Sequence, residues 1–203
     1  MGEPNLTWQT LQPRERRWQR IGQRPAIAWL TGLSGSGKST IADAADRALT
    51  EAGRSSMVLD GNNLRHGLSR DLGFTAVERA ENIRRAAETA RLMAEAGLVV
   101  IVSLIAPFRA DRAAARTIAG DIPFLEIHVD TPLSLCEARD PKGLYARARA
   151  GAITDFTGIS APYEAPEAPD LALATANCTV ADSTRPLIAA LLALSAQPPH
   201  PEG

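Results

Sequence analysis

The apolar positions fall into short unbroken runs, separated by longer stretches in which alanine and leucine recur at helical spacing. Ala26–Thr31 is short, apolar and followed at once by glycine, which predicts a buried strand. Ser39–Ala52, with Ile41 and Leu49 on one face, predicts a helix stopped by Gly53. Ser55–Asp60 predicts a second strand, and Val77–Ala96 a long helix ending at Gly97. Gly97–Ile105 is an unbroken, β-branched run, the pattern of a strand covered on both faces, and Pro107 ends it. Asp111–Ala119 predicts a helix, Phe124–Asp130 a fourth strand, Asn177–Val180 a weak fifth strand and Arg185–Leu194 a last helix. Strands alternating with helices predict an α/β fold, a parallel sheet with helices on both faces. Ligands in such sheets sit at the carboxyl ends of the strands, here just after Thr31, Asp60, Ser103 and Val129.

Three stretches lie outside this pattern. Residues 1–25 form a lead-in whose Arg14–Arg24 part is basic and polar, read as a solvated face in preference to a dimer arm. Residues 140–169 are polar, punctuated by Gly and Pro, and too long for a plain connector, so they predict a lid over the main domain of residues 26–195. Residues 196–203 read as a disordered tail.

A chain of 203 residues that is 45% hydrophobic can bury one core without metals or disulfides. Its 22 basic and 23 acidic residues leave a net charge of −1, so no overall field favours nucleic acid or an anionic membrane. Cys136 and Cys178 follow no metal or redox spacing and fit a reducing compartment. The first residues show no signal-peptide core, and the longest apolar stretch is about half a membrane span. The expectation is a soluble, cytoplasmic protein. His66 and His128 read as structural. Among the 22 basic residues only Lys38 and Lys142 are lysine.

Gly32-Leu33-Ser34-Gly35-Ser36-Gly37-Lys38-Ser39 satisfies G-x-x-x-x-G-K-[ST] between a predicted strand and a predicted helix. The glycines let the loop curl until backbone N–H groups converge on phosphate oxygens, and the helix N-terminus adds partial positive charge. Lys38 is placed to reach the β- and γ-phosphates and Ser39 to coordinate Mg²⁺. The chain therefore binds a nucleoside triphosphate. It lacks an N-K-x-D guanine reader and an acid at the end of the third strand, so at this length a small-molecule kinase is the leading class.

Beyond the second strand, Asp60 at a strand end can orient a Mg²⁺-bound water or a substrate hydroxyl, and Arg65 can fork onto an oxyanion. Arg79, Asn82 and their neighbours, taken by spacing alone, fit a solvated helix face with a Glu81–Arg85 pair at least as well as a binding set. Phe74 and Phe156 alone would be core aromatics.

The segments GLSGSGKST, LDGNNLRHGL, RDLGF, ERAENIRR, DTPLSLCEARDPKGLY and DFTGISAPYEAPE, in that order, closely resemble the adenylylsulfate (APS) kinase family over about residues 14–195. The resemblance implies a P-loop kinase fold and phosphorylation of the 3′-hydroxyl of adenosine 5′-phosphosulfate by MgATP, giving PAPS in sulfate assimilation. It implies ATP contacts at Gly32, Ser34, Gly35, Ser36, Gly37, Lys38, Ser39, Thr40 and Arg139. Substrate contacts are implied at Arg65, Phe74, Arg79, Asn82, Ile105, Lys142, Leu144 and Phe156, with the adenine between the two Phe rings. Lys38, Asp60, Asn62 and Lys142 are the implied catalytic positions, and Ser39 and Asp60 the Mg²⁺ positions. A homodimer, with an ATP sulfurylase as a further partner, completes the expectation.

Three positions depart from that pattern. The family's D-G-D-N is Asp60-Gly61-Asn62-Asn63 here, so a carboxylate that suits a base or Mg²⁺ partner is replaced by an amide. F-I-S-P is Leu104-Ile105-Ala106-Pro107, which excludes a phosphoserine step at residue 106. The lid's usual K-K after the Tyr is Ala146-Arg147 here, one charge fewer. Phosphoryl transfer rests mainly on positioning and charge neutralisation, so the expectation is a slowed kinase, with Asp60 able to take the base role. Two alternatives stay open at this point. One is a related enzyme acting on another alcohol; the other is a non-catalytic nucleotide-binding partner of ATP sulfurylase. Both surviving lysines fall in phosphate-handling motifs, where a compact ammonium fits.

Overall fold

The computed structural model describes residue 9 and residues 11–197. Five strands form one sheet: β1 (Ala26–Thr31), β2 (Ser56–Asp60), β3 (Val99–Ser103), β4 (Phe124–Asp130) and β5 (Leu171–Ala174). Every pairing is parallel, and the order is β2-β3-β1-β4-β5. Eight helices accompany them among the described residues: α1 (Arg14–Ile21), α2 (Lys38–Glu51), α3 (Gly61–His66), α4 (Ala76–Glu95), α5 (Arg109–Ala119), α6 (Leu133–Arg139), α7 (Leu144–Arg149) and α8 (Val180–Ser195).

The central strand β1 is buried along its whole length. Its alternate residues divide between two cores, as the strand's period of two requires. Ile27 and Trp29 pack with Val100, Val102 and the alanine face of α4 and with α5. Ala28 and Leu30 pack with Ile101, Ile127, α2 and α8 on the opposite face. Helices therefore cover both faces, as the apolar runs predict. The chain leaves β1 toward β2 and returns through β3 before crossing to β4, so the carboxyl end of β1 is the topological switch point where such sheets bind ligands.

The main element ends differ from the expected ones by one or two residues, with four larger differences: the fifth strand, the start of the last helix, the lead-in and the stretch 140–169. The fifth strand is Leu171–Ala174, hydrogen-bonded beside β4, and not Asn177–Val180. Asn177 is left-handed (φ +57°), and Thr179 caps α8 by accepting from the Asp182 N–H, which starts that helix at Val180 and places Pro186 inside it. The basic lead-in holds a helix, α1. Arg16, Arg17 and Arg20 are exposed, but Trp18 packs on the core and donates through its indole N–H to the Glu95 carbonyl. Finally, the stretch 140–169 divides into two parts. Its first part contains α7, and its second is fastened to α5 by Arg109 and Arg112. The tail from residue 198 onward lies outside the described residues.

Candidate active site

The loop Gly32–Gly37 joins β1 to α2. A Cβ at Gly32 would stand 2.7 Å from the Val129 carbonyl oxygen, and Gly37 takes φ +104°, so both turns require glycine. No side chain caps the N-terminus of α2, which leaves its first N–H groups facing the cleft. Three donors hold the Ser36 carbonyl from beneath: Thr131 Oγ1 at 2.9 Å, Thr175 Oγ1 at 3.2 Å and Arg139 Nη1 at 3.5 Å. Tyr145 donates to the Ser34 carbonyl at 2.9 Å and sets its ring edge-on against Phe156, with centroids 5.0 Å apart.

Lys38 Nζ donates to the carbonyls of Gly32 at 3.0 Å and Leu33 at 2.7 Å, and more weakly to Ser36 Oγ. Burial pulls its pKa down from the ordinary 10.5 to about 8, against a smaller opposing pull from Cys136 and Asp60. Beside it, Ser39 Oγ donates to Asp60 Oδ2 at 2.6 Å, while Asp60 Oδ1 accepts from the Asn62 N–H at 2.9 Å as the cap of α3. Ser103, at the end of β3 where an acid is missing, puts its hydroxyl 3.5 Å from that of Ser39.

Across the cleft, Phe74 is 58% exposed, a large uncovered aromatic that a core role does not explain. Arg65 lies over its ring at 4.3 Å from the centroid and Arg79 at 5.5 Å. Neither arginine is in an ion pair among the described residues. Arg65 donates to the carbonyls of Leu72 and Gly73, and Arg79 to those of Phe74 and Asp155. Burial lowers the pKa of both guanidinium groups, and for Arg79 the charge of Arg65 adds to the effect. Two crowded cations with only neutral partners suit a ligand carrying more than one negative charge. Asn82 is 4% exposed, and its Oδ1 has no hydrogen-bond partner. The neighbouring Glu81 pairs with Arg84 and Arg85, so the solvated-face reading holds for that side of α4.

The P-loop surface, Lys38, Ser39, Asp60, Ser103, Arg65, Phe74, Arg79 and Asn82 open onto one cavity of about 1440 Å³. That exceeds the roughly 300–1,000 Å³ usual for one small ligand, so it has room for two. Every residue of the expected catalytic, ATP and substrate sets lines it except Gly32 and Ser36, which lie beneath the loop surface. Phe74 and Phe156 line the same cavity, each with a different neighbour, Arg65 and Tyr145. The sequence reading did not single out Thr131, Thr175 or Tyr145. Tyr145 sits in the DPKGLY string beside Leu144, but nothing in the string shows that its hydroxyl reaches back to Ser34. His66 is exposed on α3, and His128 is half-buried and stacked on Tyr163.

The family model for adenylylsulphate kinase matches residues 24–174. The chain belongs to the adenylylsulphate kinase family. It is 50% identical to the adenylyl-sulfate kinase of Aeromonas hydrophila over 188 residues, 92% of this chain and 95% of that one. It is also 59% identical over 172 residues to the bifunctional enzyme NodQ of Rhizobium tropici, 84% of this chain but only 27% of the relative's length. Among solved structures, the Mycobacterium tuberculosis APS kinase CysC in complex with AMPPNP and APS superposes with a TM-score of 0.81 at 50% identity, over 84% of this chain and 98% of that one. No helix of the described residues is long and apolar enough to cross a membrane.

Proposed function

We propose that the protein transfers the γ-phosphoryl group of ATP to the 3′-hydroxyl of adenylyl sulfate, giving ADP and 3′-phosphoadenylyl sulfate. The observation that carries this reading is the single cavity. A P-loop faces a wall made of an exposed aromatic, two arginines without carboxylate partners and a buried amide. The purine stacks on Phe74 and Phe156, and base–aromatic stacking contributes about 1–3 kcal/mol per base. The phosphosulfate neutralises Arg65 and Arg79. The substrate 3′-oxygen bonds to the γ-phosphorus as the bond to the β–γ bridging oxygen breaks, and the hydroxyl proton passes to Asp60. Lys38 and Lys142 balance the charge on the transferring group, and Arg139 with Thr40 frames the ATP side.

The residues present fit Mg²⁺. The Ser39 hydroxyl and the Asp60 carboxylate are hard oxygen donors 2.6 Å apart, and Mg²⁺ commonly takes one or two carboxylates plus substrate phosphates. Bound there, Mg²⁺ would neutralise phosphate charge. The residues around α7, with Lys142 and Leu144, act as the lid. The resemblance set out above supports the rest of the reading: a cytoplasmic homodimer, with an ATP sulfurylase supplying the substrate. The NodQ relatives are named bifunctional, and most of their length lies outside the matched region.

Coupled ADP release with adenylyl sulfate as acceptor tests the reading directly. Turnover is expected, and the Asn62→Asp variant should be faster by about tenfold, from the restored carboxylate. ADP release with another alcohol but not with adenylyl sulfate would sink the substrate assignment. Equal rates for the two proteins would show that Asn62 is no handicap.

A further inference from the structure

Ala106 is a non-glycine residue with φ +43°, 3% exposed, in the wall of the cavity. Left-handed backbone at such a residue is costly and persists only where its surroundings over-determine it. Here they do. Arg112, on α5 and 2% exposed, donates from Nη1 to the Ala106 carbonyl at 2.7 Å. Its Nη2 donates to the Glu164 carbonyl at 2.8 Å, and its Nε to Glu126 Oε1 on β4 at 2.6 Å. Thr31, at the end of β1, donates from Oγ1 to the Ile105 carbonyl at 2.6 Å. Since that uses its one hydroxyl proton, Tyr163 is the donor in the 3.1 Å bond between the two hydroxyls. The Glu164 N–H in turn donates to the Pro107 carbonyl at 2.9 Å. All three carbonyls of the 105–107 turn are thus held, by β1, by α5 and by the Tyr163–Glu164 strap.

We propose that Arg112 and Thr31, together with the Tyr163–Glu164 strap, are positioning residues that fix the Ile105–Pro107 turn as the rigid wall of the acceptor half of the site. This gives the YEAPE segment a role: it is the outer strap of that wall and not part of a moving lid. The assignment rests on the kinase reading above only for the name of the acceptor. The P-loop meets this turn through the Gly32 N–H, which donates to the Ile105 carbonyl at 3.4 Å, a backbone bond that neither variant below removes. Its Ser36 carbonyl is held from beneath by Thr131, Thr175 and Arg139, so loosening the turn should disturb the acceptor half more than the ATP half.

The test uses the full chain carrying Thr31→Val or Arg112→Lys. Thr31→Val keeps the side-chain shape and removes the hydroxyl; Arg112→Lys keeps charge but replaces a three-point fork with one ammonium. Two readouts are taken. Amide hydrogen exchange needs no substrate: protection across residues 104–108 should fall by about tenfold or more, with the strands unchanged. In steady-state kinetics the KM for adenylyl sulfate should rise about fivefold or more while the KM for ATP stays within about twofold. Unchanged exchange at 104–108, or both KM values rising together in step with a lower Tm, overturns the proposal. If Arg112→Lys does not fold, the Thr31→Val result decides. A wild-type chain that ignores adenylyl sulfate would sink the substrate assignment alone, and the exchange measurement would still decide this one.

Discussion

Lys38 is enclosed by neutral oxygens from Gly32, Leu33 and Ser36, and it is charged at neutral pH at the expense of the fold. Its pKa is about 8 in the folded chain against 10.5 in its ordinary state, a difference on the order of 3 kcal/mol. Below pH 8 folded and unfolded chains both hold the proton, and this destabilisation is fully present. As pH rises from about 8 toward 10.5 the folded chain releases its proton first, so the unliganded protein gains stability from this group. A bound phosphate reverses the balance by pairing with the ammonium. The rise in Tm produced by MgADP should therefore be clearly larger at about pH 7 than at about pH 9.5, because binding at high pH must first restore a proton. A thermal-shift series across that range checks it. A constant shift would mean that Lys38 does not titrate where its surroundings place it.

At the scale of elements, Gln23 shows what the joint between α1 and β1 depends on. It is 1% exposed, donating from Nε2 to the carbonyls of Ser55 and Gly97 at 2.8 Å each and accepting at Oε1 from the Ser55 N–H at 2.8 Å. One side chain thereby stitches the lead-in to the starts of β2 and β3. Gln23→Leu conserves volume but strands the Ser55 N–H and the Gly97 carbonyl, while the Ser55 carbonyl keeps the Val99 N–H. Urea unfolding should therefore show a loss on the order of 2 kcal/mol, with MgADP affinity unchanged. A loss below about 1 kcal/mol would mean that water replaces the amide. Such a role is invisible in the sequence, where Gln23 is one more polar residue in a basic stretch. The buried strands, by contrast, are legible, because β1 and β3 are covered on both faces and so have unbroken apolar runs. β5 is not: Leu171–Ala174 is half alanine and mostly uncovered, so neither propensity nor alternation marks it. The helices α3, α6 and α7 span only 6, 7 and 6 residues, too short for a helical period to show. Local carboxylates start two of them: Asp60 caps α3, and Asp140, upstream of the N-cap Gly143, accepts from the Leu144 and Ala146 N–H groups of α7.

Taken whole, the molecule collects its chemistry at the carboxyl edge of the sheet. Residues as distant in the chain as Lys38, Arg79, Lys142 and Phe156 meet there in one cavity. The residue types were readable, since phosphate binding demands glycines and a lysine at fixed spacing, and the ordered motif strings resemble one family throughout. The ties between elements were not, because Arg112 or Tyr145 acts through partners more than fifty or a hundred positions away on other elements. Gathering both lysines of the chain on one cavity also makes the protein an unusual object for covalent labelling. An acylating reagent that modifies surface amines on most proteins meets here, apart from the chain's α-amino group, only the exposed Lys142 at the mouth and Lys38 behind it. Incorporation at Lys142, read by mass spectrometry of Arg-bounded peptides, should fall several-fold with MgADP and adenylyl sulfate present, and equal incorporation with and without them would place Lys142 outside the occupied site. Any assay that immobilises this protein through lysine would be coupling the support to its active site.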